Sequence, residues 1–577
     1  MEFTKKLGFT NREKMNRIKL KVICNYKSID FSIFLMKKGS ILSRRGFSLP
    51  KTSLTTDELK KHKRNLTIMP FVERKEYSFG IKPIPIYKET DKRFYMPRFY
   101  GLKQFGQPEN DKLTKGGGEN IETIKHVNCK ITLRDYQVPI VQDLVLPHLK
   151  KNFGGLLSLW CGYGKTLSAI WISKQLNLKT IIVCHTTSLM QQWAKEIRKW
   201  MPNARIGIIQ QDKCEVEDKD FIIASLKTIA LKTYDKNQFD SVGFVVWDEI
   251  HLMCTNLFSK AFPKLCSKYS LGLSATPQRK DKLDVIFHHY IGPVIYSAKR
   301  KPNDKLIVES TTIIPKLPIE TEYDWRHKIK YTTMVTKLCY SQERTRLIAT
   351  LITQNALIGR KILVLSEYIK HLKMLQSFLK INIEKDRKKR KPGLIEAVAI
   401  KKLSLHSSSL FYKLPNEIIF KIICYLPLPP PQFTVGLYIG EMKMNDREIS
   451  QKCDVILGTY KLASVGMDIP DLNTLVMASP RKEIEQSVGR ILRKEGKLNP
   501  LIIDIIDDHG IFISQSRVRK KFYKKYGYQI QNIKMKWDGT ILSIRHAGGN
   551  PSAKKKMKQE KQNTISKYLI REDSDSE

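Results

Sequence analysis

The sequence predicts an α/β protein built from two tandem parallel-sheet lobes, and three observations lead there. Its 577 residues exceed what one core holds, since domains usually take about 100 to 200 residues. From about residue 120 to 315, apolar runs alternate with helical periodicity. These runs are Leu156-Leu157-Ser158-Leu159, Thr180-Ile181-Ile182-Val183, Phe221-Ile222-Ile223-Ala224 and Val242-Gly243-Phe244-Val245-Val246-Trp247. A second series repeats the pattern with Lys361-Ile362-Leu363-Val364-Leu365, Val455-Ile456-Leu457-Gly458, Thr474-Leu475-Val476-Met477-Ala478 and Leu501-Ile502-Ile503-Asp504-Ile505. Short continuous apolar strands of this kind suit a sheet covered on both faces.

Taken in order, residues 1–118 form a basic N-terminal domain that ends in the flexible run Gly116-Gly117-Gly118. Within it, Arg93-Phe94-Tyr95-Met96-Pro97-Arg98-Phe99-Tyr100 interleaves aromatics with arginines. That pattern fits stacked bases and neutralised phosphates as well as it fits a hydrophobic core with exposed arginines. Lobe 1 spans 119–318 and lobe 2 spans 319–525. Lobe 2 is interrupted at 384–432 by an insertion that opens on Lys385-Asp386-Arg387-Lys388-Lys389-Arg390-Lys391 and closes on Pro427-Leu428-Pro429-Pro430-Pro431. Residues 526–577 read as a flexible tail, lysine-rich and then acidic.

Composition narrows the function. Lysine and arginine number 102 against 56 acidic residues, a net charge of +46. Such a surplus costs self-repulsion that a polyanion offsets, so nucleic acid is the expected partner. The ten cysteines are scattered singly, with no C-x-x-C pair and no histidine cluster spaced for zinc, so reduced thiols are expected. No apolar leader and no uncharged stretch long enough to span a bilayer is present, so neither secretion nor a membrane is expected.

A nucleotide site is legible. Gly162, Tyr163, Gly164, Lys165 and Thr166 follow an apolar run and open a helix carrying Leu167, Ile170 and Trp171. In that setting the glycines let backbone N–H groups approach phosphate, Lys165 reaches the β and γ phosphates of ATP, and Thr166 ligates Mg2+. Leu159 stands where the phosphate-loop pattern has its first glycine. About 80 residues on, Val245-Val246-Trp247 delivers Asp248-Glu249-Ile250-His251 to the C-terminal end of a strand, where parallel sheets place ligands. Asp248 would hold the metal, Glu249 would take a proton from the attacking water, and His251 completes the catalytic set. Upstream, Arg134 and Gln137 in Leu133-Arg134-Asp135-Tyr136-Gln137 suit adenine, because an amide offers both a donor and an acceptor. From lobe 2, Arg490 and Arg493 in Glu485-Gln486-Ser487-Val488-Gly489-Arg490-Ile491-Leu492-Arg493 would bring cationic forks to the transferring phosphoryl group, and Gln486 joins the catalytic set.

In order, these residues resemble the motif series of superfamily 2 helicases over roughly 120–510, which implies two RecA-like lobes. The resemblance implies that Ser274-Ala275-Thr276 couples hydrolysis to lobe movement, and that Gly466 and Asp468 meet the nucleotide from lobe 2. It implies further that Thr186 and Thr187, Lys227 and Thr228, and Thr459 hold the nucleic-acid backbone. Trp160-Cys161-Gly162-Tyr163-Gly164-Lys165-Thr166, Phe99-Tyr100-Gly101 and Gly436-Leu437-Tyr438-Ile439-Gly440-Glu441-Met442-Lys443 look like the transcript-release DNA helicases of poxviruses and other large DNA viruses. Those proteins resemble in turn the XPB-type DNA translocases. The implied activity is ATP-dependent movement on DNA in transcription, repair or replication, with an RNA helicase as the alternative. The implied place is a cytoplasmic viral factory or a virion, or else the nucleus.

Two fragments suggest partners. Residues 414–426, from Leu414-Pro415-Asn416-Glu417 onward, resemble the opening of an F-box and would dock a ubiquitin-ligase adaptor; an adaptor with secondary ATPase activity is therefore a further reading. Gln562, Ile565, Tyr568 and Leu569 resemble a sliding-clamp peptide, whose turn would gather the three apolar side chains into one plug.

Overall fold

The computed structural model describes residues 37–72, 82–115, 120–160, 162–298, 305–403, 432–440, 442–464, 469, 471–492 and 498–547. Lobe 1 carries an eight-stranded sheet in the order Lys213–Cys214, Ile206–Gln210, Phe221–Ser225, Thr180–Cys184, Phe244–Trp247, Tyr269–Ser274, Gly154–Ser158, Val294–Ser297. All neighbours are parallel except the first pair. Lobe 2 repeats the plan with Val435–Tyr438, Val455–Thr459, Ile362–Ser366, Thr474–Met477, Leu501–Asp507, Ile307–Ile314, Gln529–Lys536, Ile541–Ala547. Here only the last pair is antiparallel. Every apolar run in the two sequence series contributes to a strand of one of these sheets. Two tandem RecA-like lobes result.

The central strands are buried throughout because helices cover both faces, and the apolar side chains divide into separate clusters above and below each sheet. Inside lobe 2, Arg344 forks onto Asp507 with contacts of 2.6 and 3.0 Å and donates to Ala478 O at 2.8 Å. Arg519 grips Asp504 in the same way. These pairs tie helices Gln342–Leu357 and Gly510–Lys525 to the strand Leu501–Asp507.

Lobe 2 extends beyond the expected limits of 319–525. Ile307–Ile314 lies inside its sheet between Leu501–Asp507 and Gln529–Lys536, and Ile541–Ala547 closes the edge. Residues 526–547, expected as tail, are therefore sheet; Gln529–Lys536 buries Gln531, Ile533 and Met535 on one face and Ile530 on the other. At 384–432, the helix Ile369–Leu403 runs from the lobe core into the insertion without a break.

The N-terminal region forms a five-stranded sheet from Ile41–Ser43, Gly46–Pro50, Lys88–Glu89, Arg93–Met96 and Asn110–Asp111. It does not stand apart: Leu42, Phe47, Leu49, Phe94 and Met96 share one core with Phe262, Ile286 and Phe287 of lobe 1. Few residues and short strands bury too little apolar area alone, so the sheet completes its core on its neighbour. Arg44 pairs with Asp240 at 2.9 Å, and Arg98, which is 2% exposed, donates to Lys268 O at 2.9 Å. Of the two readings of 93–100, packing accounts for Phe94, Met96, Arg98 and Tyr100, all buried, while Tyr95 stays half-exposed.

Candidate active site

The phosphate-loop segment leaves the strand Gly154–Ser158 and enters the helix Lys165–Leu176. Leu159 points into the core, with its N–H donating to Ser274 O at 3.0 Å, so the missing glycine costs the loop no space. Gly162 and Gly164 have φ of 86° and 84°, the left-handed region that glycine enters without a steric penalty. A Cβ on Gly164 would stand 2.4 Å from Gln137 Nε2. Gln137 is buried, accepts from Arg134 N at 3.1 Å and donates to Tyr163 O at 3.3 Å. Its amide thus braces the loop from behind. Tyr163 stacks obliquely between Tyr136 and Trp160, with centroids at 4.6 and 5.4 Å, and Arg134 Nη1 donates to Tyr136 Oη at 2.9 Å.

Asp248 follows the buried strand Phe244–Trp247 and is 5% exposed. One of its oxygens accepts from Trp193 Nε1 at 2.8 Å and the other from Glu249 N at 3.0 Å. Glu249 adopts φ of 49°, an uncommon value for a side-chain-bearing residue, and its carboxylate meets Lys165 Nζ at 2.9 Å. Its second oxygen, Oε2, is buried with no hydrogen-bond partner and lies 3.5 Å from His251 Nδ1. Burial, then the Glu249 charge, pushes Asp248 up to about 6. Burial would raise Glu249 too, but Lys165, with help from Arg490, outweighs it and holds that carboxyl below its usual range.

ATP and a magnesium ion fit this donor set. The helix Lys165–Leu176 begins without a side-chain cap, which leaves N–H groups for phosphate, and Lys165 sits at its mouth. Among the described residues no cluster of three or more acidic, His or Cys side chains could cage a metal. Thr166 and Asp248 would instead share the ion with phosphate oxygens and water, as magnesium prefers, and its charge would offset that of the phosphates.

Lobe 2 reaches the same place. His251 Nδ1 lies 3.0 Å from Ser274 Oγ, which also accepts from Thr276 N at 3.1 Å, and Arg279 donates to His251 O. On the other side, Gln486 Nε2 comes within 3.5 Å of His251 Nε2. Burial holds the imidazole below its usual range, so a neutral ring can accept from Gln486 and donate to Ser274. Arg490 is 6% exposed and close enough for its charge to act on Glu249, and Lys280 pairs with Glu483 across the lobes. Gly489–Leu492 is a 3-10 turn following the short helix Glu485–Val488. Ala275 lies in the loop between Ser274 and Thr276 and makes no polar side-chain contact. Gly466, Asp468 and Arg493 lie outside the described residues.

Residues 130–279 match the family model described as type III restriction enzyme, res subunit. A protein of Acanthamoeba polyphaga mimivirus named as an ATP-dependent RNA helicase is 30% identical over 85% of this chain and 86% of its own length. The chain belongs to the superfamily 2 helicases. A protein of Invertebrate iridescent virus 6 named as a helicase is 26% identical over 70% of the chain and 83% of its own length. Among solved structures, S. cerevisiae Dbp5 bound to RNA and ADP BeF3 covers 75% of this chain and 93% of its own, at 12% identity and a TM-score of 0.44. The family match and the mimivirus relative make the protein a nucleic-acid-dependent ATPase.

In this helicase the segments expected to hold nucleic acid gather at the C-terminal edges of the two sheets. Ser225 pairs in register with Cys184, so the Thr186-Thr187 and Lys227-Thr228 turns lie side by side. Thr186 caps the helix Thr187–Trp200, accepting from Leu189 N at 3.3 Å. Thr187 Oγ1 accepts from Gln210 Nε2 at 2.9 Å and Thr228 Oγ1 from Gln211 N at 3.1 Å, while Lys227 is exposed. Thr459 occupies the matching edge of lobe 2, opposite Ser366, and accepts from Leu462 N at 3.4 Å. Arg447 bridges to Ser188 Oγ at 3.3 Å, a contact between the lobes that no motif in the sequence signalled. Trp193, which orients Asp248, was equally silent, because it lies 55 residues away in an amphipathic helix and resembles any core tryptophan. Arg279 had a signal in its position just beyond Ser274-Ala275-Thr276.

Proposed function

We propose that this helicase is an ATP-driven DNA translocase that releases transcripts or serves repair or replication. The observation that carries the coupling is the polar chain Gln486–His251–Ser274, whose imidazole also lies 3.5 Å from Glu249, the carboxylate that would handle water. Lys165 and the helix N-terminus would hold the phosphates, Glu249 would orient and deprotonate the attacking water, and Arg490 would meet the developing charge. Because Arg490 and Gln486 come from the second lobe, hydrolysis depends on how the lobes close over a bound strand. The net charge of +46 supports a polyanionic track, and the motif flavour of the phosphate loop and of Gly436–Lys443 supports DNA. A cytoplasmic viral factory or a virion is the setting consistent with that reading.

RNA as the track is the second reading, favoured by the name of the mimivirus relative. The deciding experiment is steady-state ATPase at fixed low salt with single-stranded DNA, duplex DNA and RNA, beside Glu249→Gln. Stimulation by DNA that the variant loses supports the proposal, and preferential stimulation by RNA replaces it. The F-box-like residues 414–426 and the clamp-like Gln562, Ile565, Tyr568 and Leu569 lie outside the described residues. An adaptor role would be favoured only if no nucleic acid stimulated hydrolysis.

A further inference from the structure

Between the N-terminal sheet and lobe 1 lies a cavity of about 580 Å³, within the range of ligand pockets. One wall is the hairpin formed by Lys88–Glu89 and Arg93–Met96, and the other is the turn Phe258–Lys264. We infer that this cavity binds a segment of single-stranded nucleic acid, extending the track proposed above, on which this inference rests.

Charge is the first reason. Arg45, Lys88 and Lys260 line the cavity, are exposed, and form no ion pair among the described residues. Lys264 joins them, its ammonium held below the usual range by burial and then by Lys88 and Lys260. The carboxylate at the rim, Glu89, is taken by Lys51 at 3.0 Å and Lys63 at 2.9 Å. Four cations therefore converge with no free counter-charge from the described lining, and an anion would relieve their repulsion. Chemistry of the walls is the second reason. Tyr87 and Tyr95 are half-exposed on the cavity side, which puts aromatic faces beside cations as single-strand binders do.

Position is the third. Lys264 Nζ donates to the carbonyls of Ile229, Ala230 and Lys232 at 2.9, 2.8 and 2.7 Å, closing the C-terminal end of the helix Leu226–Leu231. The other end of that helix carries Lys227 and Thr228, the turn expected to hold backbone. Six helical residues span about 9 Å, so a strand leaving that turn reaches the cavity within a few nucleotides.

The test measures binding of labelled DNA and RNA oligonucleotides of about 6 and about 20 nucleotides to the full chain over a salt series. Lys88→Ala with Lys260→Ala should lower the salt slope for the long oligonucleotide by about 1.4, since each phosphate contact on a single strand contributes about 0.7, and should leave the short one unchanged. Tyr95→Ala should weaken the long oligonucleotide about fivefold or more at fixed salt. All these side chains are partly or fully exposed, and an unchanged melting temperature checks folding. If the wild type binds both lengths and the variants match it in slope and affinity, the cavity is not part of the track and the inference falls alone. If the wild type binds neither DNA nor RNA, the proposed function falls with it.

Discussion

Lys165 Nζ stands 2.9 Å from Glu249 Oε1, so the cation that would serve phosphate and the carboxylate that would serve water pair with each other. The phosphates of ATP would compete with Glu249 for Lys165. Glu249→Gln removes the competitor and the base together. Nucleotide should then bind at least as tightly as in the wild type while turnover falls about 100- to 10,000-fold, the usual range for a lost general base. Titration with a fluorescent nucleotide beside steady-state ATPase checks both, and weaker binding would refute the competition.

Gly164 carries φ of 84° and has Gln137 Nε2 in the space a Cβ would take. In Gly164→Ala, left-handed strain of about 1–2 kcal/mol adds to a displaced amide, so ATP affinity should drop about tenfold or more. Adding Gln137→Ala to it should recover part of the loss. Isothermal calorimetry on the single and double variants decides, and strictly additive losses would show that the contact is not the cause.

Gln486 touches His251 across the lobes at 3.5 Å. Removing it in Gln486→Ala forfeits a hydrogen bond worth about 0.5–1.5 kcal/mol, so nucleic-acid-stimulated turnover should fall about 2- to 12-fold. Nucleotide affinity without nucleic acid should stay unchanged. Comparable losses with and without nucleic acid would place Gln486 outside the coupling.

Much of this arrangement was legible because parallel strands covered on both faces must be apolar throughout, as Phe244–Trp247 and Ile362–Ser366 are. Tyr269–Ser274 escaped because serine and glycine interrupt it, although it delivers Ser274 to His251. Gln529–Lys536 escaped because its exposed positions, Gln529, Lys534 and Lys536, are polar or charged, which made a strand look like tail. The N-terminal sheet was invisible for a different reason: its strands are short and its core is completed by Phe262 and Phe287, far away in sequence. At the site, order and spacing revealed the loop and the carboxylates. Trp193 and Arg447 contribute through tertiary approach alone, which no local pattern encodes.

The buried fork of Arg344 on Asp507 gives a stability prediction. Arg344→Met leaves a carboxylate without its cation in a dry site and should cost about 3–5 kcal/mol, whereas Arg344→Met with Asp507→Leu should recover most of it. Differential scanning calorimetry would show this in the unfolding of lobe 2, and a double variant no better than the single would contradict the account.

Acid should weaken lobe 2 through His371, which is fully buried against Ser366 Oγ at 2.9 Å. Burial, then the Arg344 charge, pulls it down to about 3, so the folded state keeps it neutral while the unfolded chain takes a proton near pH 6.5. Its contribution is complete above that pH and is lost as pH falls from there towards 3, about 1.4 kcal/mol by pH 5.5. Melting temperatures between pH 7.5 and 5.5 should decline more steeply for the wild type than for His371→Gln. Equal slopes would exclude this histidine.

The helix Ile369–Leu403 has a mechanical meaning as well. Leu372, Leu375 and Leu379 root it in the lobe, and its 35 residues make a rod of about 52 Å. A rod carried by the lobe in this way can serve as a lever arm. Were lobe 2 to swing by about 15° as nucleotide turns over, the roughly 36 Å of helix beyond Leu379 would carry its end through about 9 Å, converting a small rotation at the hydrolysis site into a stroke close to the diameter of a helix.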